Sequence, residues 1–282
     1  MQHPGETSCG EQSTHGAMHF YRNVLTVLNR AGLPYLVGGA YAFKHYTGIA
    51  RHTKDLDLFV MRSDYERIAG LVTQAGYRCE LTFPHWLAKV YGPDDFIDLI
   101  FNSGNGIAEV DASWFEHAPV MPVLGLEARI SPIEEMIWSK AFIMERERYD
   151  GADIAHLLRA CGDRLNWPHL LARFDGCWRV LLSHLTLFGF IYPQHRHLVP
   201  HRVMEELLER LRREVMTAPP GEQVCLGTLL SREQYLTDVE QWGYRDGRLA
   251  PTGRMSEEET HRWTDAIPGR QESRGRRPAP DA

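Results

Sequence analysis

The sequence predicts an α+β (or α/β) fold, in which a small mixed β-sheet with flanking helices precedes a helical C-terminal domain. Three observations support this prediction. Strand-like segments and helical periodicities alternate between Leu33 and Phe101. Two of the strand-like segments carry acidic residues among apolar ones. Beyond Ser131, apolar residues recur mainly at helical spacing.

The first predicted helix carries apolar residues such as Phe20 and Leu28 at helical spacing, and it should end at Gly32. A strand follows, and a glycine pair then leads into a short second helix. The chain next enters an acidic strand. In chain order, this part contains a helix to residue 32, a strand at 33–37, a helix at 40–46 and the acidic strand at 51–60.

A third helix is predicted after Asp64, because a capping residue there precedes an apolar pattern that stops near Gly76. Three further strands are predicted at 77–81, 87–91 and 96–101. Apolar periodicity then indicates helical segments. These lie at 133–141, 154–158, 167–174, 178–188 and 203–211.

Changes in composition divide the chain into four predicted regions. The first is a loose polar arm rich in Gly, Ser, Thr and His, and the last is a disordered tail that is too polar to form a core. An α/β domain and a mainly helical domain lie between them. The four predicted regions are residues 1–17, 18–130, 131–251 and 252–282.

Composition indicates a globular protein of a reducing compartment. At 282 residues and 43% hydrophobic content, the chain is long enough for one large domain or two smaller ones. The net charge of −6 argues against bulk nucleic-acid binding. The five cysteines are scattered, without the spacing of a zinc site or a disulfide framework. Because neither a signal peptide nor a membrane span is recognisable, a cytoplasmic location without membrane association is expected.

The acidic strand carries two carboxylates at alternate positions. Because successive side chains point to opposite faces of a strand, Asp55 and Asp57 share one face, and Leu56, Leu58 and Val60 share the other. Neighbouring carboxylates repel each other and lose hydration on burial, so they need a compensating cation. The pattern therefore predicts a divalent metal at Asp55 and Asp57.

Asp98 is a third acid in a strand-like segment, and its same-face neighbours Phe96 and Ile100 are apolar. If its strand lies beside the acidic strand, all three carboxylates can converge on one or two hard cations such as Mg²⁺, with Mn²⁺ as a second choice. Gly38 and Gly39 would let the backbone approach phosphates at the start of the next helix. Together these residues predict a metal site that binds phosphates.

The acids also have simpler interpretations. The acid pair could lie on a solvated edge strand beside Arg51 and Lys54, although the apolar residues around it favour burial. Asp98 could instead belong with Asp94 and Asp95 in a loop. In either case the carboxylates would be hydrated and would need no metal.

The glycine turn in ValGlyGlyAla, the acid pair in ThrLysAspLeuAspLeu and the lone acid in PheIleAspLeuIle resemble the nucleotidyltransferase superfamily related to DNA polymerase beta. The resemblance is to its small bacterial members, the minimal and antibiotic nucleotidyltransferases, and it covers roughly residues 33 to 101. It implies transfer of a nucleoside monophosphate from a nucleoside triphosphate, with ATP as the expected donor, to a hydroxyl group with release of pyrophosphate. The acceptor stays open between a small molecule, a protein side chain and a tRNA.

The resemblance also assigns roles residue by residue. Its catalytic and metal-binding acids correspond to Asp55, Asp57 and Asp98, and its phosphate-seating turn to Gly38 and Gly39. The chain departs from the pattern at one position, because Ala40 follows the glycine pair where many active members have serine. The alternative function is therefore a catalytically weak nucleotide-binding module or a component of a toxin–antitoxin pair.

Three cations, Arg51, Lys54 and Lys140, are candidate nucleotide-binding residues, since positive charge stabilises a transferring phosphoryl group. Lys140 is the best placed of them, because it falls among the apolar positions of its helix. For each cation, a solvated charge or a salt bridge to a nearby acid is the competing interpretation. Asp150 and Asp153 could line the same cleft, but capping of the next helix is the favoured interpretation.

Overall fold

A seven-stranded mixed β-sheet forms the centre of this computed structural model, which describes residues 7–51, 53 and 55–268, with side chains from Gly16 onward. Its strands are β1 (Leu36–Val37), β2 (Asp55–Phe59), β3 (Arg78–Phe83), β4 (Leu87–Tyr91), β5 (Phe96–Ile100), β6 (Val120–Val123) and β7 (Leu126–Ile130). Their order across the sheet is β3-β4-β5-β2-β1-β7-β6. The pairs β2–β5 and β1–β7 are parallel, and the other neighbouring strands are antiparallel. The predicted α+β class is thereby confirmed.

Strand β2 lies in the interior of the sheet, between β1 and β5. Its register with β5 pairs Asp57 with Asp98. Leu56 and Leu58 are fully buried on one face, while the acids alternate with them on the other. The edge-strand interpretation of the acid pair is therefore wrong, because β2 has a hydrogen-bonded neighbour on each side. The loop interpretation of Asp98 is also wrong, because this residue is the central residue of β5.

Helices cover the sheet and form a layer of their own in the second half of the chain. They are α1 (Thr7–Arg30), α2 (Gly39–Thr47), α3 (Tyr65–Gln74), α4 (Ala112–Glu116), α5 (Ile133–Ala141), α6 (Gly151–Cys161), α7 (Trp167–Phe174), α8 (Trp178–Ile191), α9 (His201–Val215), α10 (Leu236–Glu240) and α11 (Glu257–Asp265). Two short strands, β8 (Val224–Cys225) and β9 (Arg245–Asp246), pair in parallel. Helix α2 packs against β2 and α6, and α5 packs against α6 and α7. No helix among the described residues is long and apolar enough to cross a membrane.

One buried cluster joins the sheet to the helices. Leu25 and Leu28 of α1, Leu58 of β2 and Leu99 of β5 are fully buried in it. Burying each such side chain contributes about 1.5–3 kcal/mol relative to exposure. The apolar face of the sheet is thus covered by packed helices, which leaves the acids on the opposite face.

The hairpin formed by β6 and β7 is absent from the sequence-based prediction. Pro122 interrupts the apolar pattern of β6, and proline is tolerated there because β6 is an edge strand. The two-residue turn consists of Leu124 and Gly125, both with positive φ, and leucine is not a typical residue for such a turn. Strand β7 pairs with β1 and thereby extends the sheet beyond the predicted strands.

The predicted arm and tail both contain helix. Helix α1 begins at Thr7, inside the predicted arm 1–17. Once the apolar part of a helix is packed, each further residue that becomes ordered adds one hydrogen bond, so the helix can extend into a polar segment. Helix α11 lies inside the predicted tail 252–282. Ser256 and Glu259 form a capping box at its start, and Trp263 packs against Trp86 with ring centroids 5.2 Å apart. The polar composition of residues 252–282 gives no signal of this cap or of this aromatic contact.

Candidate active site

Three carboxylates meet on the open face of the sheet. Oxygen atoms of Asp55, Asp57 and Asp98 all lie within 4.8 Å of one another, because β2 and β5 are parallel neighbours in matching register. A cation with oxygen ligands at about 2.0–2.6 Å separates opposite ligands by about 4–5 Å. The spacing of the three acids therefore fits a shared metal ion.

The electrostatic environment of the acids disfavours three bare charges. Burial raises the pKa of Asp57 to about 7, and the negative charges of Asp55 and Asp98 add to this effect. Burial also raises the pKa of Asp98, although its hydrogen bond with Lys89 opposes the rise. Three crowded oxygen donors with this charge balance have the chemistry of a site for a hard divalent cation.

The glycine turn packs directly against the acid strand. The amide of Gly38 donates a hydrogen bond to the carbonyl oxygen of Asp57 at 2.9 Å. A Cβ atom on Gly39 would overlap the carboxylate of Asp57, and Gly39 has a positive φ of 51°. A Cβ atom on Gly38 would collide with the ring of Phe59. Only glycine allows this approach, and α2 therefore begins beside Asp57 with the unpaired amides of its first turn.

Two polar contacts hold the acids and were not foreseen from the sequence. The hydroxyl of Thr53 donates a hydrogen bond to the carboxylate of Asp55. Lys89 in β4 lies opposite Asp98, and its Nζ atom is 2.6 Å from Oδ1 of that residue. The alternation in the segment 87–91 could have placed Lys89 on the acid face, but its pairing with Asp98 depends on the register between strands.

A chain of alternating charges lies next to the acids on the side of α5 and α6. Arg51 forms an ion pair with Asp153, whose other oxygen lies 2.8 Å from Nζ of Lys140. Lys140 also lies 2.9 Å from Asp150, which in turn accepts a hydrogen bond from Nε of Arg148 at 3.1 Å. Three cations thus alternate with two buried carboxylates, and this row of five side chains, called the charge chain below, has an excess of positive charge.

Two of the three candidate nucleotide-binding cations form salt bridges, as the competing interpretation of each one predicted. Arg51 and Lys140 both reach the charge chain, where each is paired with an acid, and Lys54 lies outside the described residues. The charges of Lys140 and Arg148 oppose the rise in the pKa of Asp57. Arg148 was not predicted as a site residue.

Asp150 does not cap α6 with its side chain, so the capping interpretation of this residue is wrong. It occupies the N-cap position, but its carboxylate makes no capping hydrogen bond. The carboxylate binds Lys140 and Arg148 instead. Two fully charged partners attract the carboxylate more strongly than the partial charge of a backbone amide, which explains the preference.

A tyrosine of α1 also approaches the acids. Tyr21 is buried, and burial raises the pKa of its hydroxyl above the usual value. The negative charges of Asp95, Asp55 and Asp57 contribute to the same rise. The sequence carries no signal of this contact, because the approach of Tyr21 to the acids depends on how α1 lies across the sheet.

The glycine turn, the acid pair and the third aspartate come together as the resemblance to the nucleotidyltransferase superfamily predicts. A Gly-Gly turn contacts an Asp-x-Asp strand, and a third aspartate stands on the adjacent parallel strand. The chain belongs to the family of nucleotidyl transferases of unknown function, DUF2204, whose family model matches residues 17–213. A search among curated proteins found no match.

Several solved structures are similar to this chain at low identity. The solution structure of the antibiotic-resistance factor ANT(2'')-Ia is 19% identical, with 60% of this chain and 96% of that chain covered and a TM-score of 0.42. The lincosamide antibiotic adenylyltransferase LnuA, bound to lincomycin, is 14% identical, with 50% and 94% covered and a TM-score of 0.36. JHP933 from Helicobacter pylori is 14% identical, with 72% and 96% covered and a TM-score of 0.36.

Proposed function

We propose that this protein transfers a nucleoside monophosphate from a nucleoside triphosphate, with ATP as the expected donor, to a hydroxyl acceptor and releases pyrophosphate. The observation that carries the proposal is the convergence of Asp55, Asp57 and Asp98 beside the glycine turn at the start of α2. Membership of a nucleotidyl transferase family supports nucleotidyl transfer in general. The donor, the metal and the acceptor are parts of the proposal.

The three acids would hold one or two Mg²⁺ ions, or Mn²⁺ in their place. Their spacing and the raised pKa of Asp57 support this assignment. A bound cation would relieve the repulsion among the carboxylates, which otherwise favours a proton on Asp57. A divalent ion bound there would supply positive charge to the phosphate oxygens and lower the pKa of the attacking hydroxyl.

The residues of the chain would bind and orient the two substrates. The amides at the start of α2 would donate hydrogen bonds to phosphate oxygens, and Lys140 and Arg148 would stabilise charge on the same phosphates. Asp98 would orient the acceptor hydroxyl and accept its proton. The acceptor oxygen then bonds to the α-phosphorus, while the bond from that phosphorus to the pyrophosphate oxygen breaks and pyrophosphate leaves.

Magnesium-dependent release of pyrophosphate from ATP tests this proposal. The wild-type protein should release pyrophosphate in the presence of an acceptor pool, and Asp57→Asn should reduce the rate by at least about a hundredfold, as expected when a metal ligand is lost. Asp163→Asn is a matched control, because Asp163 is exposed at the end of α6. Release that survives Asp57→Asn would contradict the assigned site.

ATP with a radioactive α-phosphate can identify the acceptor, because the transferred group would carry the label. Three pools need comparison: hydroxylated small molecules such as aminoglycosides and lincosamides, proteins, and tRNA. The proposal predicts that label becomes covalently attached to one of these pools, in step with pyrophosphate release. Release without attachment would indicate hydrolysis of ATP, which would contradict transfer.

A second candidate is a nucleotide-binding module with little or no turnover, such as a component of a toxin–antitoxin pair. Two observations favour it. Ala40 has no hydroxyl with which to contact a phosphate, and Lys89 already binds one oxygen of Asp98. Binding of magnesium ATP without pyrophosphate release, under every acceptor condition, would support this module over the enzyme.

A further inference from the structure

A tight hairpin connects α5 to α6 and carries Arg148. Met144 and Tyr149 form an antiparallel bridge, and the amide of Glu145 donates to the carbonyl oxygen of Arg148 at 2.8 Å. The amide of Asp150 closes the base of the hairpin through a 3.1 Å hydrogen bond to the carbonyl oxygen of Ile143. The backbone of Arg148 is therefore held by the strand opposite it, which includes Glu145.

A C-terminal segment, residues 226–236, binds that opposite strand. The amide of Met144 donates to the carbonyl oxygen of Leu230 at 3.0 Å. The carboxylate of Glu145 accepts a hydrogen bond from the amide of Arg232 at 2.7 Å and another from the hydroxyl of Ser231. Ser231 is buried and both hydrogen bonds are partly buried, which limits competition from water.

The C-terminal segment is also attached to the central sheet and its connections. The side-chain amide of Asn105, which follows β5, donates to the carbonyl oxygen of Leu229 at 2.6 Å. Farther along the chain, Trp263 of α11 packs against the β3–β4 connection at Trp86. The family model ends at residue 213, so the C-terminal partner in each of these contacts lies beyond the matched region. This part of the chain links the sheet that carries the acids to the hairpin that carries Arg148.

Arg148 has the features of a residue that binds an anion. Its side chain is 65% exposed, and Nε and Nη2 donate to Asp150 at 3.1 and 3.2 Å. A guanidinium has five donors in a fixed plane, so the pair with Asp150 orients the group and leaves further donors for a second anion. Asp150 is shared with Lys140, which places Arg148 at the end of the charge chain, and the charge of Arg148 opposes the rise in the pKa of Asp57.

We infer that the C-terminal segment positions Arg148 to bind the polyphosphate of the donor nucleotide, through the contacts of Glu145 with Ser231 and Arg232. This inference rests on the proposed function, since it names a binding residue and a positioning residue of the same site. Arg148 contacts the polyphosphate. Glu145 does not contact it, but fixes the strand to which the backbone of Arg148 is bonded.

Binding of inorganic pyrophosphate with Mg²⁺ to the full chain, measured by calorimetry, tests the inference without requiring an acceptor. Arg148→Ala should weaken binding about tenfold, since a charge-assisted hydrogen bond is lost. Glu145→Ala and Ser231→Ala should each weaken it several-fold. The double variant of Glu145 and Arg148 should bind no more weakly than Arg148→Ala alone, because Glu145 acts through Arg148.

Two residues in the turn of the same hairpin provide matched controls. Glu147→Ala removes an exposed carboxylate and Arg146→Ala removes an exposed cation, and both should bind magnesium pyrophosphate like the wild type. Hydrogen exchange supplies a readout of position that needs no ligand. The amides of Met144 and Arg232 should exchange faster in Glu145→Ala and Ser231→Ala, but not in Glu147→Ala.

The outcomes separate this inference from the proposed function. If Asp57→Asn binds magnesium pyrophosphate as the wild type does, the proposed function fails at the acids. If Asp57→Asn weakens binding but Arg148→Ala does not, the proposed function stands and the inference is overturned. Faster exchange in Glu145→Ala with unchanged binding, or a further loss of binding in the double variant, would also overturn the positioning role.

Discussion

At Gly39 the requirements of the backbone and of the candidate site coincide. The residue has positive φ, and a side chain there would overlap the carboxylate of Asp57. Gly48, at the other end of the same helix, has a φ of 73° but open space where a Cβ would lie. A side chain at Gly48 would therefore add backbone strain alone, whereas a side chain at Gly39 would add both backbone strain and steric overlap.

Alanine at these two positions should give different results. Gly48→Ala should lower the free energy of unfolding by about 1–2 kcal/mol, the cost of a left-handed conformation. Gly39→Ala should cost more than this and should also abolish magnesium-dependent pyrophosphate release, because the new methyl group displaces Asp57. Urea denaturation and the release assay measure the two effects. Equal losses of stability with activity retained in both variants would rule out the close approach.

The raised pKa of Asp57 predicts how stability depends on pH in the absence of metal. At a pH well below the unfolded pKa of about 3.9, this carboxyl is protonated in both the folded and the unfolded state. As pH rises toward 7, the unfolded state loses the proton while the folded state keeps it, because burial and two neighbouring acids hold the pKa at about 7. The contribution of this group to stability is therefore present at low pH and is lost as pH rises.

The corresponding measurement compares the wild type with Asp57→Asn by urea denaturation between pH 4 and pH 8 in the presence of a chelator. The difference in the free energy of unfolding between the two proteins should change by at most about 1.4 kcal/mol per pH unit up to about pH 7, and then level off. The wild type should lose stability relative to Asp57→Asn as pH rises. The opposite slope would show that the folded state favours the ionised carboxylate.

At the scale of elements, helix α11 depends on local signals at its start. Ser256 accepts a hydrogen bond from the amide of Glu259, whose carboxylate accepts one from the amide of Ser256. Ser256→Ala should destabilise the helix by about 1 kcal/mol, the usual value of an N-cap. Hydrogen exchange of the amides of 257–265 should then be faster by about fivefold. Unchanged exchange would mean that the packing of Trp263 alone holds the helix.

The elements also show which parts of the fold were predictable from local pattern. Strand β4 occupies the predicted residues 87–91, of which all but Lys89 are apolar. Strands β6 and β7 were missed, because their turn uses Leu124 in a conformation that the sequence does not signal. Helix α7 also matches its prediction, since an amphipathic pattern begins directly after a capping asparagine, Asn166.

Some residues of the candidate site could likewise be predicted from the adjacent sequence, and others depend on long-range contacts. Asp55 and Asp57 were recognisable together, because the alternation that gives them a common face is a property of five consecutive residues. Lys89 and Arg148 were not recognised. Their contacts depend on strand register and on a hairpin that packs against distant residues, and neither follows from the residues adjacent in sequence.

At the scale of the whole molecule, binding of a divalent cation should stabilise the fold. A ligand that binds only the folded state adds about 2.7 kcal/mol at a concentration of 100 times its dissociation constant. Mg²⁺ or Mn²⁺ should therefore raise the melting temperature of the wild type above pH 7, where Asp57 is ionised. The increase should vanish in Asp57→Asn and persist in Asp163→Asn. An equal increase in all three proteins would indicate general ion effects.

The parallel pairing of β2 with β5 also has a consequence for folding kinetics. Asp57 and Asp98 are distant in sequence and become neighbours only when these two strands align, and a slip of one residue would turn Asp98 to the opposite face. Long-range parallel pairing is slow to form, because the loop entropy is lost before the contacts compensate for it. Cation binding during refolding should therefore appear late, after most helical signal has returned, and would report correct alignment of the sheet.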